Sequence, residues 1–424
     1  MVDVTAIRAV RYARETHAST DLSGKLSPPY DVIDTALRAK LVAGHINNVV
    51  HVDLPVGDDH RYDRAGATYR AWIEDGVVVL DENPCITVVH QFFQGPDGVS
   101  HIRKGIIAGV ALEPLDGGGI LPHEYTLRGP KEDRLELFRA CSATASQVFC
   151  VYDDPELLLD DVFASLVSAP PQQVATTEDG VTHKIWWTDD FNIIAAVTQF
   201  FRGKTLLIAD GHHRYETHLH YQHEQQRRHG QKEVPAGRVA MYLANIADPG
   251  TAVYPIHRLI RDLDGWSSET FHRNLSERFE ITPCENTLES VKATLSRLGG
   301  VFGVMVPDKE AYVLSTSPKT PLDQLSMAEP LRSFDVTVLH GLVLDGLLGI
   351  DAAKLASESH VDYVKAESDV IPKLASGRYQ FACILPPPDP RRVAKVAAAG
   401  QRMPQKSTFF FPKIQSGVVF SPLS

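Results

Sequence analysis

The densest run of reactive side chains is Ala209-Asp210-Gly211-His212-His213-Arg214-Tyr215-Glu216. Thr205 to Ala209 before it is short and apolar and reads as a buried strand. Asp210 suits a helix N-cap, and a helix is expected from about Tyr215. Gly211 occupies the turn, where a residue without Cβ lets backbone approach a ligand. A strand, a glycine turn and a helix start aim several N–H groups at one spot, and that spot favours an anion. His212, His213 and Arg214 add donors and positive charge, and a guanidinium can grip a phosphate bidentately. The turn is therefore read as the cradle for a nucleotide's phosphates, against the plainer alternative of a solvated helix entry.

Three other stretches carry chemistry. His123-Glu124-Tyr125-Thr126 holds an adjacent imidazole and carboxylate, suited to acid–base work or metal ligation. Lys131 and Arg134 follow with positive charge, either functional or the solvated side of a helix over Glu132–Ala140. Pro28-Pro29 fixes an extended backbone that presents Tyr30 and Asp31 at set positions. Lys406-Ser407-Thr408 forms a polar loop able to complete a phosphate or substrate site. On the helix after the central turn, His212, Glu216, His220 and His223 recur on one face. That spacing is compatible with a divalent metal but is not the H-E-x-x-H signature, and Glu216 alone is a candidate for positioning Mg²⁺. No P-loop or dinucleotide-binding glycine pattern occurs. Gly203-Lys204-Thr205 precedes a strand, and Gly400 to Ser407 has Gln405 where the second glycine belongs.

The elements that must hold these groups follow from pattern. One strand is expected over Val4–Tyr12, and a helix capped by Asp34. Asn47–Val52 reads as turn and strand, and Arg61–Asp75 as a helix ending at Gly76. Val77–Leu80, Ile86–Phe93 and Arg103–Leu112 read as successive antiparallel strands, with Gly95-Pro96-Asp97-Gly98 as the hairpin turn. Strands at Gln147–Tyr152, His183–Thr188 and Val239–Ala244 alternate with helices at Pro155–Val167 and Asp190–Phe201. The texture changes near Pro255, so a first domain is placed at 1–255. A smaller α+β domain is placed at 256–424, with its last loop as a candidate to return to the site. A final strand is expected at Gly417–Phe420.

The 424 residues allow two or three domains, and 43% apolar with 22% charged residues is ordinary for a globular protein. A net charge of -11 argues against general affinity for nucleic acid. No apolar run approaches membrane-spanning length. Five scattered cysteines without a C-x-x-C pair suit a reducing cytoplasm, the expected location.

Taken together, Ser27-Pro28-Pro29-Tyr30-Asp31-Val32, His123 to Thr126, Ala209 to Tyr215 and Met403-Pro404-Gln405-Lys406-Ser407-Thr408 resemble a bacterial and archaeal family long catalogued as a domain of unknown function and associated with SerK-type free-serine kinases. The turn at Gly211 also resembles the phosphate-binding box of the ParB/sulfiredoxin superfamily. The resemblance implies an α/β (α+β) fold with a mixed-sheet, nucleotide-binding core. It implies phosphoryl transfer from ATP or ADP, with Mg²⁺, to the hydroxyl of free L-serine. Carried over by residue, Gly211, His212, His213 and Arg214 form the phosphate cradle, joined by Lys406, Ser407 and Thr408. Glu124 and Asp210 are candidates for the base or the metal-orienting carboxylate, with His123 and His213 beside them. Arg128, Lys131 or Arg134 would meet the serine carboxylate, and Asp31, next to Tyr30, its ammonium group. The sulfiredoxin box has cysteine where this chain has His212, so sulfinic-acid reduction is not expected. Small molecules are the expected partners, with neither nucleic acid nor membrane. Two rival readings are a metal-dependent hydrolase built on His123, Glu124, His212 and His213, and a non-catalytic nucleotide-binding regulator.

Overall fold

The computed structural model describes residues 2–14, 19–126, 128–404 and 406–424, without the side chains of Arg128 and Pro130. Two compact units emerge. The first gathers Met1–Gly95, Ser100–Ala252 and Pro412–Ser424; the second gathers Pro96–Val99 and Val253–Phe411.

The first unit is built on one ten-stranded mixed sheet. Its strands are β1 (Val4–Thr5), β2 (Thr20–Asp21), β3 (Ile86–Gln94), β4 (Ser100–Ala111), β5 (Ile120–Leu121), β6 (Val148–Tyr152), β7 (Gln173–Thr176), β8 (Thr182–Thr188), β9 (Leu206–Asp210) and β10 (Arg238–Asn245). They run in the order β2-β7-β8-β3-β4-β10-β6-β9-β5, with β1 on β4. The β7–β2, β10–β6 and β9–β5 pairs are parallel and the others antiparallel. The fold is thus α/β with a mixed sheet, as its pattern of apolar strands and amphipathic helices requires.

Helices α1 (Thr35–Gly44), α2 (Arg61–Glu74), α3 (Arg128–Cys141), α4 (Leu158–Ser168), α5 (Phe191–Phe201) and α6 (His212–His229) accompany this sheet. Asp34 caps α1 by accepting from the Leu37 N–H at 2.8 Å, and Asp190 caps α5 through the Asn192 and Ile193 amides. The core packs Ile106, Cys150, Ile208 and Met241 of the sheet with Phe163 of α4, Phe201 of α5 and Tyr215 of α6. Arg214, Tyr215, His218, Tyr221 and Gln225 form much of the buried side of α6.

Three sequence expectations give way to non-local pairing or local capping. Val4–Tyr12 is not one strand: Val4–Thr5 joins the main sheet, whereas Val10–Tyr12 pairs with Val78–Leu80 outside it. Asn47–Val52 is a turn and a short helix, Val50–Asp53, rather than a strand. Fully buried Asn48 accepts from the Val50 N–H at 2.8 Å and donates to the Gly24 and Leu26 carbonyls, and these bonds override the β-branched composition. Gly417–Phe420 makes only a bridge from Phe420 to Val10, and the strand pairing falls on Ser421–Pro422 against Ala143–Thr144.

The second unit carries a six-stranded antiparallel sheet of β11 (His257–Ile260), β12 (Glu280–Cys284), β13 (Phe302–Met305), β14 (Ala311–Ser315), β15 (Val361–Val364) and β16 (Phe381–Ile384), ordered β12-β14-β13-β16-β11-β15. Helices α7 (Ser268–Ser276) and α8 (Leu288–Leu298) start at Ser267 and Thr287, whose hydroxyls accept from the amides three residues on. Val291 and Leu295 of α8 pack with Leu259, Val313 and Ile384 of the sheet. Among the described residues no helix is long and apolar enough to cross a membrane.

His218 on α6 supplies a test of this packing. Its ring is buried against Phe138 of α3 at 4.6 Å, neither ring nitrogen has a partner, and burial pushes its pKa down to about 3. An imidazole with a depressed folded pKa binds fewer protons when folded. Its share of stability is therefore complete above the usual value of 6.5 and is lost as pH falls towards 3. Replacing His218 by Leu should make the melting temperature fall less steeply through that window, measured by thermal unfolding across pH. An unchanged slope would show that His218 contributes nothing to acid sensitivity.

Candidate functional site

β9 reaches the site through an irregularity in the sheet. Ile208 pairs with Cys150 and Asp210 with Phe149, leaving Ala209 as an extra residue on its strand. Such a bulge re-aims the side chain that follows it. Gly211 then caps α6 with φ 93 and ψ 28, a left-handed conformation that disfavours a Cβ. As the N-cap, Gly211 has no side chain of its own to cap the helix. The amides of His212 and His213 belong to the first turn, whose N–H groups are not used by the helix's own carbonyls. Together with the helix dipole they make an anion-binding end.

Asp210 lies beneath this turn with both oxygens engaged. Arg214 Nη2 donates to Oδ2 at 2.5 Å, and Lys413 Nζ donates to Oδ1. Arg214 also donates through Nη1 to the Gln147 carbonyl and is 4% exposed. Burial pushes the Asp210 carboxyl up, but Lys413 and Arg214 outweigh it and hold the group far below the usual carboxylate range. Asp210 is consequently a fixed anion that orients two cations and a poor acceptor of protons. Arg214, read from the sequence as part of the cradle, lies against the turn: a Cβ on Gly211 would sit 3.0 Å from its Cζ.

His123 and Glu124 adjoin the same turn. His123 Nδ1 donates to the Ile208 carbonyl at 2.7 Å, which leaves Nε2 to face Glu124 Oε1 at 3.7 Å. The His123 N–H donates to His212 Nε2 at 3.2 Å, and the two rings meet edge to face at 4.7 Å. His123 is fully buried while the Glu124 side chain keeps 26% exposure. The pair thus places a reachable carboxylate over a buried imidazole.

On the next turn of α6, Glu216 Oε2 accepts from Lys131 Nζ at 2.7 Å and from Thr126 Oγ1 at 2.8 Å. Lys131 therefore belongs to the cluster, and Glu216 is already neutralised, which weakens its candidacy as a metal ligand. Among the described residues no group of three or more His, Cys, Asp or Glu side chains could hold a metal ion. His220 and His223, expected to share a face with His212 and Glu216, are exposed, whereas His212 is buried. Burial lowers the His213 pKa, with Glu216 and Asp31 opposing and Lys131 and Arg214 adding to the shift, so these groups share one electrostatic neighbourhood.

Other candidates have structural duties. Arg134 is buried, donates to the Asp53 backbone carbonyl at 2.5 Å and to Asp133 Oδ2 at 2.7 Å, and lies over the Tyr30 ring at 4.3 Å. Its guanidinium is thus committed inside the unit and does not offer a free face to a carboxylate. Burial raises the Tyr30 phenol to about 12, against the pull of Arg134 and Arg214. Asp31 is exposed on the Tyr30–Val32 turn. Arg128 starts α3, but its side chain lies outside the described residues' side chains. Lys406, Ser407 and Thr408 belong to the second unit, where Arg258 Nη2 donates to the Lys406 carbonyl at 2.9 Å and Ser407 Oγ donates to the Pro404 carbonyl at 2.5 Å.

Sequence reasoning missed the residues that lock the cluster. Fully buried Arg103 of β4 donates to Gln91 Oε1 at 2.5 Å and to the Pro412 carbonyl at 2.5 Å, and Gln91 Nε2 donates to the Lys413 carbonyl at 3.4 Å. Asp53 accepts from Ser146 Oγ at 2.7 Å and Ser416 Oγ at 2.8 Å. Both sets fix Pro412–Ser416, and with it Lys413. The only local signal was a lysine after the Phe-Phe-Phe-Pro run, which reads as an ordinary surface residue.

The family model described as "Protein of unknown function (DUF1015)" matches residues 4–337. No curated protein matches. Among solved structures, a free serine kinase in complex with AMP is 15% identical, with 74% of this chain and 92% of that chain covered and a TM-score of 0.36. A mutant of a free serine kinase in complex with ADP is 14% identical at the same coverages and TM-score. A conserved hypothetical protein from Pyrococcus furiosus is 15% identical, covering 74% of this chain and 95% of that one, with a TM-score of 0.34.

The turn can be tested directly. Replacing Gly211 by Ala forces a side chain into the left-handed region and against Arg214, and should destabilise the first unit by about 1–2 kcal/mol. Chemical denaturation would measure it; an unchanged midpoint would mean that the backbone relaxes and the φ of 93 is not required.

Proposed function

The chain belongs to the DUF1015 family, and from this premise we propose that it is a nucleotide-dependent phosphotransferase that phosphorylates the hydroxyl of free L-serine. The observation that carries the reading is the glycine-led start of α6 at Gly211, with Arg214 and Lys413 held on a single largely buried carboxylate. Arg103 also feels the Asp210 charge. A polyphosphate would meet the helix-start amides and the positive potential of Arg214 and Lys413. The motifs shared with SerK-type kinases supply the choice of acceptor.

The residues fit the chemistry. Phosphoryl transfer requires alignment and neutralisation of charge more than covalent help. Backbone amides of His212 and His213 would hold the phosphates of ATP or ADP, with Lys413 and Arg214 providing positive potential from below. Mg²⁺ would supply charge neutralisation for the phosphate oxygens, and a metal shared with a nucleotide would call for only one or two protein carboxylates. Glu124 takes the proton from the serine hydroxyl as its oxygen bonds to the terminal phosphorus. The bond from that phosphorus to the bridging oxygen breaks, and the nucleotide departs one phosphoryl group shorter. His123 Nε2, facing Glu124, stabilises the protonated carboxyl. Lys131 and Asp31 would meet the amino acid's carboxylate and ammonium groups.

Incubating the full chain with Mg²⁺, ATP or ADP, and serine should yield O-phosphoserine, read by phosphorus NMR. Glu124→Gln should lower kcat by about 10²-fold or more with little change in nucleotide KM. Lys413→Ala should instead raise nucleotide KM. Absence of any phosphorylated amino acid with either donor would refute the proposal, and nucleotide binding without turnover would favour a regulator.

A further inference from the structure

A cavity between α4 and the main sheet of the first unit holds a carboxylate that the fold satisfies on one oxygen only. The cavity measures about 400 Å³, within the usual range of small-molecule sites. Val88 of β3, Ile106 of β4 and Leu159, Phe163 and Val167 of α4 give it an apolar wall. The last three recur every fourth residue and so share one face of the helix. Asp248, just beyond β10, also lines the cavity and is 8% exposed. Its Oδ1 accepts from the Gly250 N–H at 2.7 Å, but Oδ2 has no partner among the described residues. Burial pushes this carboxyl up, against the pull of the Gly250 N–H and of Lys104. A largely buried carboxylate with a free oxygen calls for a donor.

The other polar groups of the lining sort by charge. Lys104 of β4 and Asp160 of α4 pair with one another, so their charges cancel and Asp248 is left as the net charge. His90 of β3 is kept neutral: burial pushes its pKa down to about 4, and Lys104 and Lys184 add to the shift while Asp160 opposes it. Its ring meets Trp186 edge-on at 5.1 Å and makes no hydrogen bond to the described residues. A neutral imidazole keeps one nitrogen as an acceptor. Asn245 is occupied by the Asp154 backbone, whereas the Tyr152 hydroxyl has no partner among the described residues. Carboxylate, imidazole and phenol thus offer acceptors beside an apolar wall.

The cavity is distinct from the Gly211 turn. His90 faces Lys104 across β3 and β4, and Gln91 faces Arg103 one residue on. Successive side chains of a strand point to opposite faces of a sheet. Gln91 and Arg103 hold the Lys413 and Pro412 carbonyls, so the Lys413 segment lies on the other face. Tyr152 and Asn245 end β6 and β10, whereas Asp210 pairs with Phe149 near the start of β6. We propose that this cavity binds a small organic amine, with its ammonium group on Asp248, His90 and Tyr152 as further acceptors, and its apolar body against Ile106, Phe163 and Val167. An ammonium group carries donors and no acceptor, which matches that set. Binding there goes beyond phosphotransfer and needs neither nucleotide nor serine.

Titration calorimetry of the full chain tests it with probes of similar shape and different charge: phenethylamine, phenethyl alcohol and phenylpropionate. The amine should bind saturably, the alcohol about tenfold or more weakly, and the anion not at all. Asp248→Asn keeps an oxygen for the Gly250 N–H, and should weaken the amine by about tenfold while leaving the alcohol unchanged. An amine that does not saturate, equal affinity for amine and alcohol, or amine binding that survives Asp248→Asn overturns the proposal. Should Asp248→Asn fail to fold, Ala164→Trp gives a second reading, because Ala164 is an exposed lining residue of α4. The indole should fill the cavity and abolish amine binding, and undiminished binding overturns the site. Because no nucleotide enters the titration, failure here leaves serine phosphorylation untouched.

Discussion

A carboxylate taking a guanidinium on one oxygen and an ammonium on the other is the interaction on which the first unit depends. Asp210, Arg214 and Lys413 come from the end of β9, the first turn of α6 and a segment some two hundred residues later in sequence. Removing one member of such a buried set typically costs about 3–5 kcal/mol, because the others are left uncompensated. The cluster therefore fixes three separate pieces of backbone at once.

Holding Lys413 there requires a second layer. Arg103 carries no carboxylate of its own; its guanidinium lies 4.6 Å from the Phe149 ring and 5.5 Å from the Tyr242 ring, and it spends its donors on Gln91 and the Pro412 carbonyl. The ring faces offset part of its desolvation. Tyr242 packs so closely on β4 that a Cβ at Gly105 would meet its ring at 2.3 Å. That glycine is needed for close approach, not for a turn. The chain runs from a missing side chain, through an aromatic stack and an unpaired arginine, to the position of a lysine in the site.

This layering explains what could be read from the sequence. The turn at Gly211, the capped helices α1 and α5 and the antiparallel β3–β4 pair depend on neighbours in sequence, and their patterns are local. The closeness of His123-Glu124 to the turn followed from the shared motifs, because nothing in local spacing brings residue 123 to residue 212. Lys413, Arg103 and Asp53 were invisible: each looks ordinary until partners more than eighty residues away appear. Arg134 misled in the opposite way, since a basic residue near a polar motif resembles a ligand-binding group. Only burial against Asp53 and Tyr30 reveals its packing duty. Asn48 misled because its side-chain bonds to Gly24 and Leu26 cannot be inferred from a run of valines.

Asp210 and Glu124 stand in contrasting surroundings. Asp210 is flanked by cations and kept ionised across the physiological range, so a proton placed on it would be lost at once. Glu124 stands partly exposed, facing an imidazole whose other nitrogen is tied to the Ile208 carbonyl. A proton arriving on Glu124 meets a lone pair rather than an ammonium group. General-base chemistry needs a group that can accept a proton and release it, whereas charge stabilisation needs one that never does. Environments of opposite kind suit two acids of the same chemistry to different tasks.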